Sequence, residues 1–154
     1  MKIAGFIENL RTYLDGLSWT SDDGKQTTSL SAVFTYPNFL HTEGYPFAII
    51  GDTGTTSESL DNRTISADTE IKITIAGNWE AVEAQDDDVR REEVALRIRE
   101  ATDAIKTNIM KIDTLQTLGG DWTMEFRYGD IEDEPEYNIL YREFYLICKE
   151  IIDR

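Results

Sequence analysis

Few residues in this 154-residue chain are of a type that does covalent or metal chemistry. It holds one histidine, His41, and one cysteine, Cys148. One imidazole and one thiol cannot assemble a His/Cys zinc site, which takes three or four such ligands. His41 lies in a polar stretch, Asn38–Gly44, with no patterned partner nearby, and reads as a surface histidine. Cys148 sits inside an apolar run and reads as a small core residue rather than a nucleophile. A single cysteine allows no intramolecular disulfide, which suits a reducing compartment.

Two other stretches could carry chemistry. Gly51-Asp52-Thr53-Gly54-Thr55-Thr56 has the glycine and hydroxyl content of a phosphate loop, but it lacks the P-loop lysine and opens no helical pattern. Asp-Thr-Gly is also the tripeptide of aspartic proteases. That chemistry needs a second carboxylate on a matching structure, and the chain has no internal repeat to supply one. The acid runs Asp86–Asp88 and Asp130–Glu136 offer oxygen ligands without the alternating spacing of an EF-hand loop. The first is explained by a helix N-terminus and the second by a solvated turn. Asn62-Arg63-Thr64 matches a glycosylation sequon, which carries no weight without a secretory signal. The expectation is a protein without catalytic residues, cofactor or metal.

Charge is the strongest compositional fact. Thirty acids against fifteen bases give a net −15. Binding to nucleic acid through phosphate neutralisation is not expected of such a surface. No basic region leads into an apolar run at the N-terminus, and no run approaches the ~20 apolar residues of a membrane span. The chain reads as one soluble, cytoplasmic domain over 1–154.

The elements that would position any site follow from periodicity. Val94, Ile98, Ala101, Ile105, Ile109 and Ile112 recur at helical spacing, which predicts a long helix over Asp86–Ile112. Asp86, Asp87 and Asp88 suit the positive end of its dipole. Asp86–Arg90, Asp87–Arg91 and Glu93–Arg97 are expected i,i+4 pairs of about 0.3 kcal/mol each. Ile3, Phe6, Ile7, Leu10 and Leu14 predict a short amphipathic helix to Asp15, with Gly16 as its stop. Asp23-Gly24 marks a turn. Ser29–Tyr36 fits a strand or a short helix.

Tyr45–Ile50 reads as a strand, with Pro46 confined to its start or to an edge. Gly51–Arg63 reads as a long polar loop. Thr64–Gly77 alternates Ile65, Ile71, Ile73 and Ile75 against Ser66, Asp68, Glu70, Lys72 and Thr74, a strand with one wet face. Asn78–Gln85 reads as an acidic linker, with surface aromatics around Trp79 and Trp122. The long helix is expected to end between Asp113 and Gly119, with Gly119-Gly120 as a stop signal. Asp121–Tyr128 and Asn138–Ile152 read as two further strands. The last is apolar on both faces, through Phe144, Leu146 and Cys148 on one and Tyr145, Ile147 and Ile151 on the other. The predicted fold is α+β: a mostly antiparallel β-sheet covered by one long helix and a short N-terminal helix.

This order of elements resembles the tail terminator (tail completion) and related minor tail proteins of long-tailed, siphovirus-like phages. The resemblance rests on the N-terminal helix, the Tyr-Pro-Phe-Ala-Ile-Ile strand at Tyr45–Ile50, the Arg-Thr-Ile…Ile-Lys-Ile-Thr-Ile strand at Arg63–Ile75, the long helix and two closing strands. It implies a virion structural protein whose copies form a homohexameric ring. Such a ring caps the tail tube, stops its polymerisation and joins it to the head–tail connector. The implied partners are the chain itself, the tail tube protein and the connector, with no membrane. DNA would pass through an acidic lumen without specific binding. The implied location is the tail or neck of the virion, assembled in the cytoplasm of the bacterial host. Asp52, Thr53, Glu58 and Arg63 in the polar loop, and Asp130, Glu132, Asp133, Glu134 and Glu136 in the acidic turn, are the candidate interface or lumen residues. Another neck or head–tail joining protein would fit the same pattern. A DNA-mimic inhibitor is the alternative from a different class.

Overall fold

A computed structural model describes residues 3–109, 111 and 123–153. The chain starts with α1, Ile3–Asp15. Phe6, Leu10 and Leu14 form its buried face, as their spacing predicts. Gly16 follows its last residue and donates its N–H to the Thr12 carbonyl. A small hairpin comes next, β1 (Ser18–Thr20) with β2 (Thr27–Ser29). Asp23 and Gly24 lie in its turn, where Gly24 has φ +73°. The Ser29–Tyr36 stretch resolves into the end of β2 and a two-residue strand, β3 (Val33–Phe34).

The main sheet is built on a long antiparallel hairpin, β4 (Phe47–Ser59) and β5 (Thr64–Asn78). Pro46 stands just before β4. The stretch after Ile50 is therefore strand and not loop; only 60–63 turn the chain. A short 3-10 turn at Trp79–Ala81 follows, capped by the Asn78 side chain. Trp79 is buried there, beneath the Arg91 guanidinium at 4.7 Å, and is not a surface aromatic.

The long helix, α2, runs Asp87–Ile109. Asp86 caps it, its Oδ1 accepting from the Asp88 N–H at 2.8 Å. Glu93–Arg97 forms the expected i,i+4 pair at 2.8 Å. Arg90 and Arg91 instead pair three residues back, with Asp87 and Asp88. Asp86 is engaged as the cap, which removes it from the predicted pair. Lys111 is already outside the helix, which therefore ends short of the Asp113–Gly119 stretch where the sequence places its end; Ile112, Gly119-Gly120 and Trp122 lie outside the described residues.

Three strands complete the sheet: β6 (Thr123–Tyr128), β7 (Glu132–Glu134) and β8 (Ile139–Asp153). The acidic turn thus contains a short strand. The order is β3-β4-β5-β8-β6, with β7 beside the start of β8. All pairings are antiparallel except β3 with β4. The fold is α+β, as the sequence predicts. β5 and β8 pair over fifteen residues each, from Thr64 opposite Asp153 to Asn78 opposite Ile139.

Both helices pack on one face of this sheet. Leu10 and Leu14 of α1, Ile98 and Ile105 of α2, and Ile71, Ile73, Ile75, Phe144 and Leu146 of the sheet share one core. Where α2 crosses β5 the backbones come close, and residue 77 is glycine: a Cβ there would stand 2.6 Å from Val94 Cγ1. Glu100 is buried beside Arg97 (2.7 Å) and accepts from the Asp22 N–H at 3.1 Å, which fastens the β1–β2 hairpin to α2. On the other face a smaller cluster of Phe47, Ile49, Ala76 and Ile139 is covered by Ala32 and Phe34. His41 belongs to this cover. It packs edge-on against Phe34 and Phe47 and its Nε2 lies 3.3 Å from Ser31 Oγ, so it is half-buried rather than a free surface histidine.

Candidate functional site: a strand arm with an uncapped edge

The β4–β5 hairpin is longer than the core that supports it. β3 pairs with β4 only at Ala48 and Ile49. From Ile50 to Ser59 no strand among the described residues pairs with the outer edge of β4. Burial falls along the same stretch. Ile50 is buried, Gly51 half-buried, and Thr56, Ser57, Glu58 and Ser59 are exposed. Exposure at consecutive residues means that both faces of β4 are open there. Among the described residues its backbone from Ile50 to Glu58 is held in the sheet on one side, by β5. A row of unpaired N–H and C=O groups of this kind is a template for another strand.

The arm is shaped by two local devices. Its register shifts between Asp52 and Gly54, and Gly54 has φ +131°. This is a bulge, which bends a strand and raises its twist. At the tip, Asp61 Oδ1 accepts from the N–H groups of Arg63 (2.7 Å) and Thr64 (2.9 Å). These bonds to the ionised form hold the Asp61 carboxyl below the ordinary carboxylate value. Leu60, beside it, is 53% exposed.

The opposite margin of the sheet is β6, whose outer edge is likewise unpaired among the described residues. On the outer face near β6, Arg127 pairs with Glu70 (3.2 Å) and lies over the Tyr145 ring, while Lys149 pairs with Glu125 (3.4 Å). Tyr145 donates its hydroxyl to Glu143, which pushes the phenol up to about 12. Tyr141 donates to Glu132 at 2.9 Å, and its phenol is raised for the same reason.

The residues singled out from the sequence fall into two groups that do not meet. Asp52, Thr53 and Glu58 are on the arm in β4, and Arg63 is in its turn. Glu132, Asp133 and Glu134 form β7, with Asp130 before it and Glu136 after it. The arm tip lies beside Asp153 and β7 beside Ile139–Tyr141. Those positions are the two ends of β8, about 45 Å apart at ~3.3 Å per residue. Glu132, Tyr141, Glu143 and Tyr145 form a polar cluster that sequence reasoning did not assemble. The signal was present as alternation: Tyr141, Glu143 and Tyr145 share one strand face.

Among the described residues no three His, Cys, Asp or Glu side chains converge as metal ligands. None of the described helices is long and apolar enough to cross a membrane. No protein-family model matches the chain, and no curated protein matches it.

Proposed function

We propose that this chain is a structural virion protein, the tail terminator of a long-tailed phage. In this reading it works by assembly and not by catalysis. Its copies form a homohexameric ring that ends the tail tube, halts its growth and presents a face to the head connector.

The observation that carries the reading is the uncapped edge of β4. A monomer that leaves the outer edge of β4 without a strand partner among the described residues, with Asp52, Gly54, Thr56, Ser57 and Glu58 exposed along it, invites pairing with another chain. The free margins of the sheet, β4 and β6, are different surfaces. Pairing one to the other between copies is head-to-tail, and such contacts close into rings when the rotation per copy divides the circle. The acidity supports the same reading. Six copies at −15 carry −90, so a lumen through them would repel DNA and let it slide. The virion neck, reached after assembly in the host cytoplasm, is the corresponding location.

Native mass spectrometry tests this. A ring is expected at about 106 kDa, six times the 17.6 kDa chain, alone or on addition of tail tube protein. A monomer that stays a monomer with tube protein present refutes it. A ring that binds the connector but ignores the tube would make the chain another neck protein.

A further inference from the structure

Two adjoining clefts run along the outer face of β8. One, of about 160 Å³, is lined by Phe39, Tyr137, Tyr141, Glu134, Glu143 and Lys72. The other, of about 150 Å³, is lined by Asp130, Glu132, Tyr141, Glu143 and Tyr145. They share Tyr141 and Glu143, so they form one groove. Tyr141 and Tyr145 are four residues apart on one strand face, about 13 Å. The groove therefore has room for roughly four or five extended residues.

Its two ends differ in chemistry. At one end Phe39 and Tyr137 stack at 6.2 Å with an interplanar angle of 23°, yet they are 36% and 37% exposed. Leu40, next in sequence, is 75% exposed. These rings make an apolar platform open to water. Along its length the groove presents four carboxylates, Glu134 in the first cleft, Asp130 and Glu132 in the second and Glu143 in both, against the Lys72 ammonium in the first and the Arg127 guanidinium over Tyr145. The Tyr141 and Tyr145 hydroxyls are already donated to Glu132 and Glu143. Arg127 already lies over the Tyr145 ring, so the Tyr141 ring is the face left for a further cation, and each carboxylate still has lone pairs for further donors.

We propose that this groove docks an extended segment of a basic partner protein. An apolar side chain of that segment rests on the Phe39–Tyr137 platform, and a Lys or Arg sits between Glu132 and Glu143 over Tyr141. The acid charge decides the occupant. A second copy carries two acids for every base, so its own segments are poorly suited to supply the cation that this groove selects. A nucleic-acid strand would set phosphates against four carboxylates. A cationic segment gains charge-assisted hydrogen bonds and a ring contact at the same place. The proposal stands independently of the ring reading.

The test is an amide NMR titration of the whole chain with the synthetic peptide Trp-Gly-Lys-Gly-Arg-Gly and its counterpart Trp-Gly-Glu-Gly-Glu-Gly. The basic peptide is expected to shift Phe39, Lys72 and residues 137–145, and the acidic one to shift none of them. Replacing both Glu132→Gln and Glu143→Gln keeps acceptors for the tyrosine hydroxyls. It should weaken the basic peptide roughly tenfold or more. Phe39→Ala should weaken it by a similar factor, and Glu92→Gln on α2 should leave it unchanged. Equal shifts from both peptides would overturn the proposal, as would shifts spread over α2 and the arm. So would undiminished affinity in the double variant when circular dichroism shows it folded. Concentration-dependent shifts of the same residues without peptide would assign the groove to a second copy and overturn the basic partner.

Discussion

Gly77 of β5 lies against Val94 of α2 so closely that a Cβ at residue 77 would stand 2.6 Å from Val94 Cγ1 and 3.2 Å from Tyr45 Cβ. The neighbours are a stiff β-branched side chain and a residue just before β4. Neither can give way cheaply. This contact sets how near the long helix approaches the central hairpin.

Gly77→Ala is accordingly expected to destabilise the fold by about 1–3 kcal/mol through overpacking. Val94→Ala removes the methyl in the way, so the two substitutions together should cost less than their sum. Urea denaturation of the two single variants and the double variant reads this directly. Strictly additive costs would mean that the close approach is relieved in some other way.

Glu100 is a buried acid that joins two elements. Its side chain is 1% exposed, against 16% for Arg97, and it receives both the Arg97 guanidinium and the Asp22 N–H. Glu100→Ala should cost about 2–4 kcal/mol, because an N–H of the β1–β2 hairpin and part of a guanidinium lose their acceptor. Arg97 keeps Glu93, which places the cost below that of a fully orphaned charge. Amide exchange at Asp22 should accelerate in the same variant. If it does not, the carboxylate does not hold the hairpin.

Much of this framework was legible because it obeys one period at a time. Val94, Ile98, Ala101, Ile105 and Ile109 are all buried on α2. Ile71, Ile73 and Ile75 are buried on β5, and Phe144, Leu146 and Cys148 on β8. The β4 arm was not legible, for a physical reason. Its distal half is exposed on both faces, so no alternation marks it, and its Gly, Asp and Ser residues are poor strand formers. It is a strand because β5 pairs with it. Trp79 was misread because a capped 3-10 turn after β5 folds it back under Arg91, and no short periodic pattern encodes that. Of the candidate site residues, the sequence marked two acid-bearing segments and the length of β8, but not the pairing that sets the segments at its opposite ends.

Tyr145 offers a pH test. Its hydroxyl bond to Glu143 favours the neutral phenol, so the folded-state value rises from 10.0 to about 12. The sign follows from proton binding. Above pH 10 the unfolded chain loses this proton while the folded chain keeps it. The contribution to stability is complete below pH 10 and is lost as pH rises to about 12. Ultraviolet titration should show Tyr45 and Tyr141 also raised and, with them, Tyr145 ionising late. Glu143→Gln should move Tyr145 back towards 10.0. An unchanged titration in the variant would remove Glu143 as the cause.

The β4 edge can be blunted without touching the core. Thr56 and Ser57 are exposed, and nothing pairs with their outer side among the described residues. Natural sheets protect such edges with lysine, whose charge is stranded when a second strand closes over it. Thr56→Lys with Ser57→Lys should therefore leave the stability of the monomer within about 0.5 kcal/mol, since both sites lie on open surface. In the proposed ring the same pair should abolish or strongly weaken assembly, read as loss of the ring mass in native spectra. The two readouts separate the causes. A stable monomer that no longer assembles places the intersubunit contact on this edge. A variant that assembles as before would move the contact elsewhere, because a neighbouring strand hydrogen-bonded along β4 would have to bury both ammonium groups or push them aside.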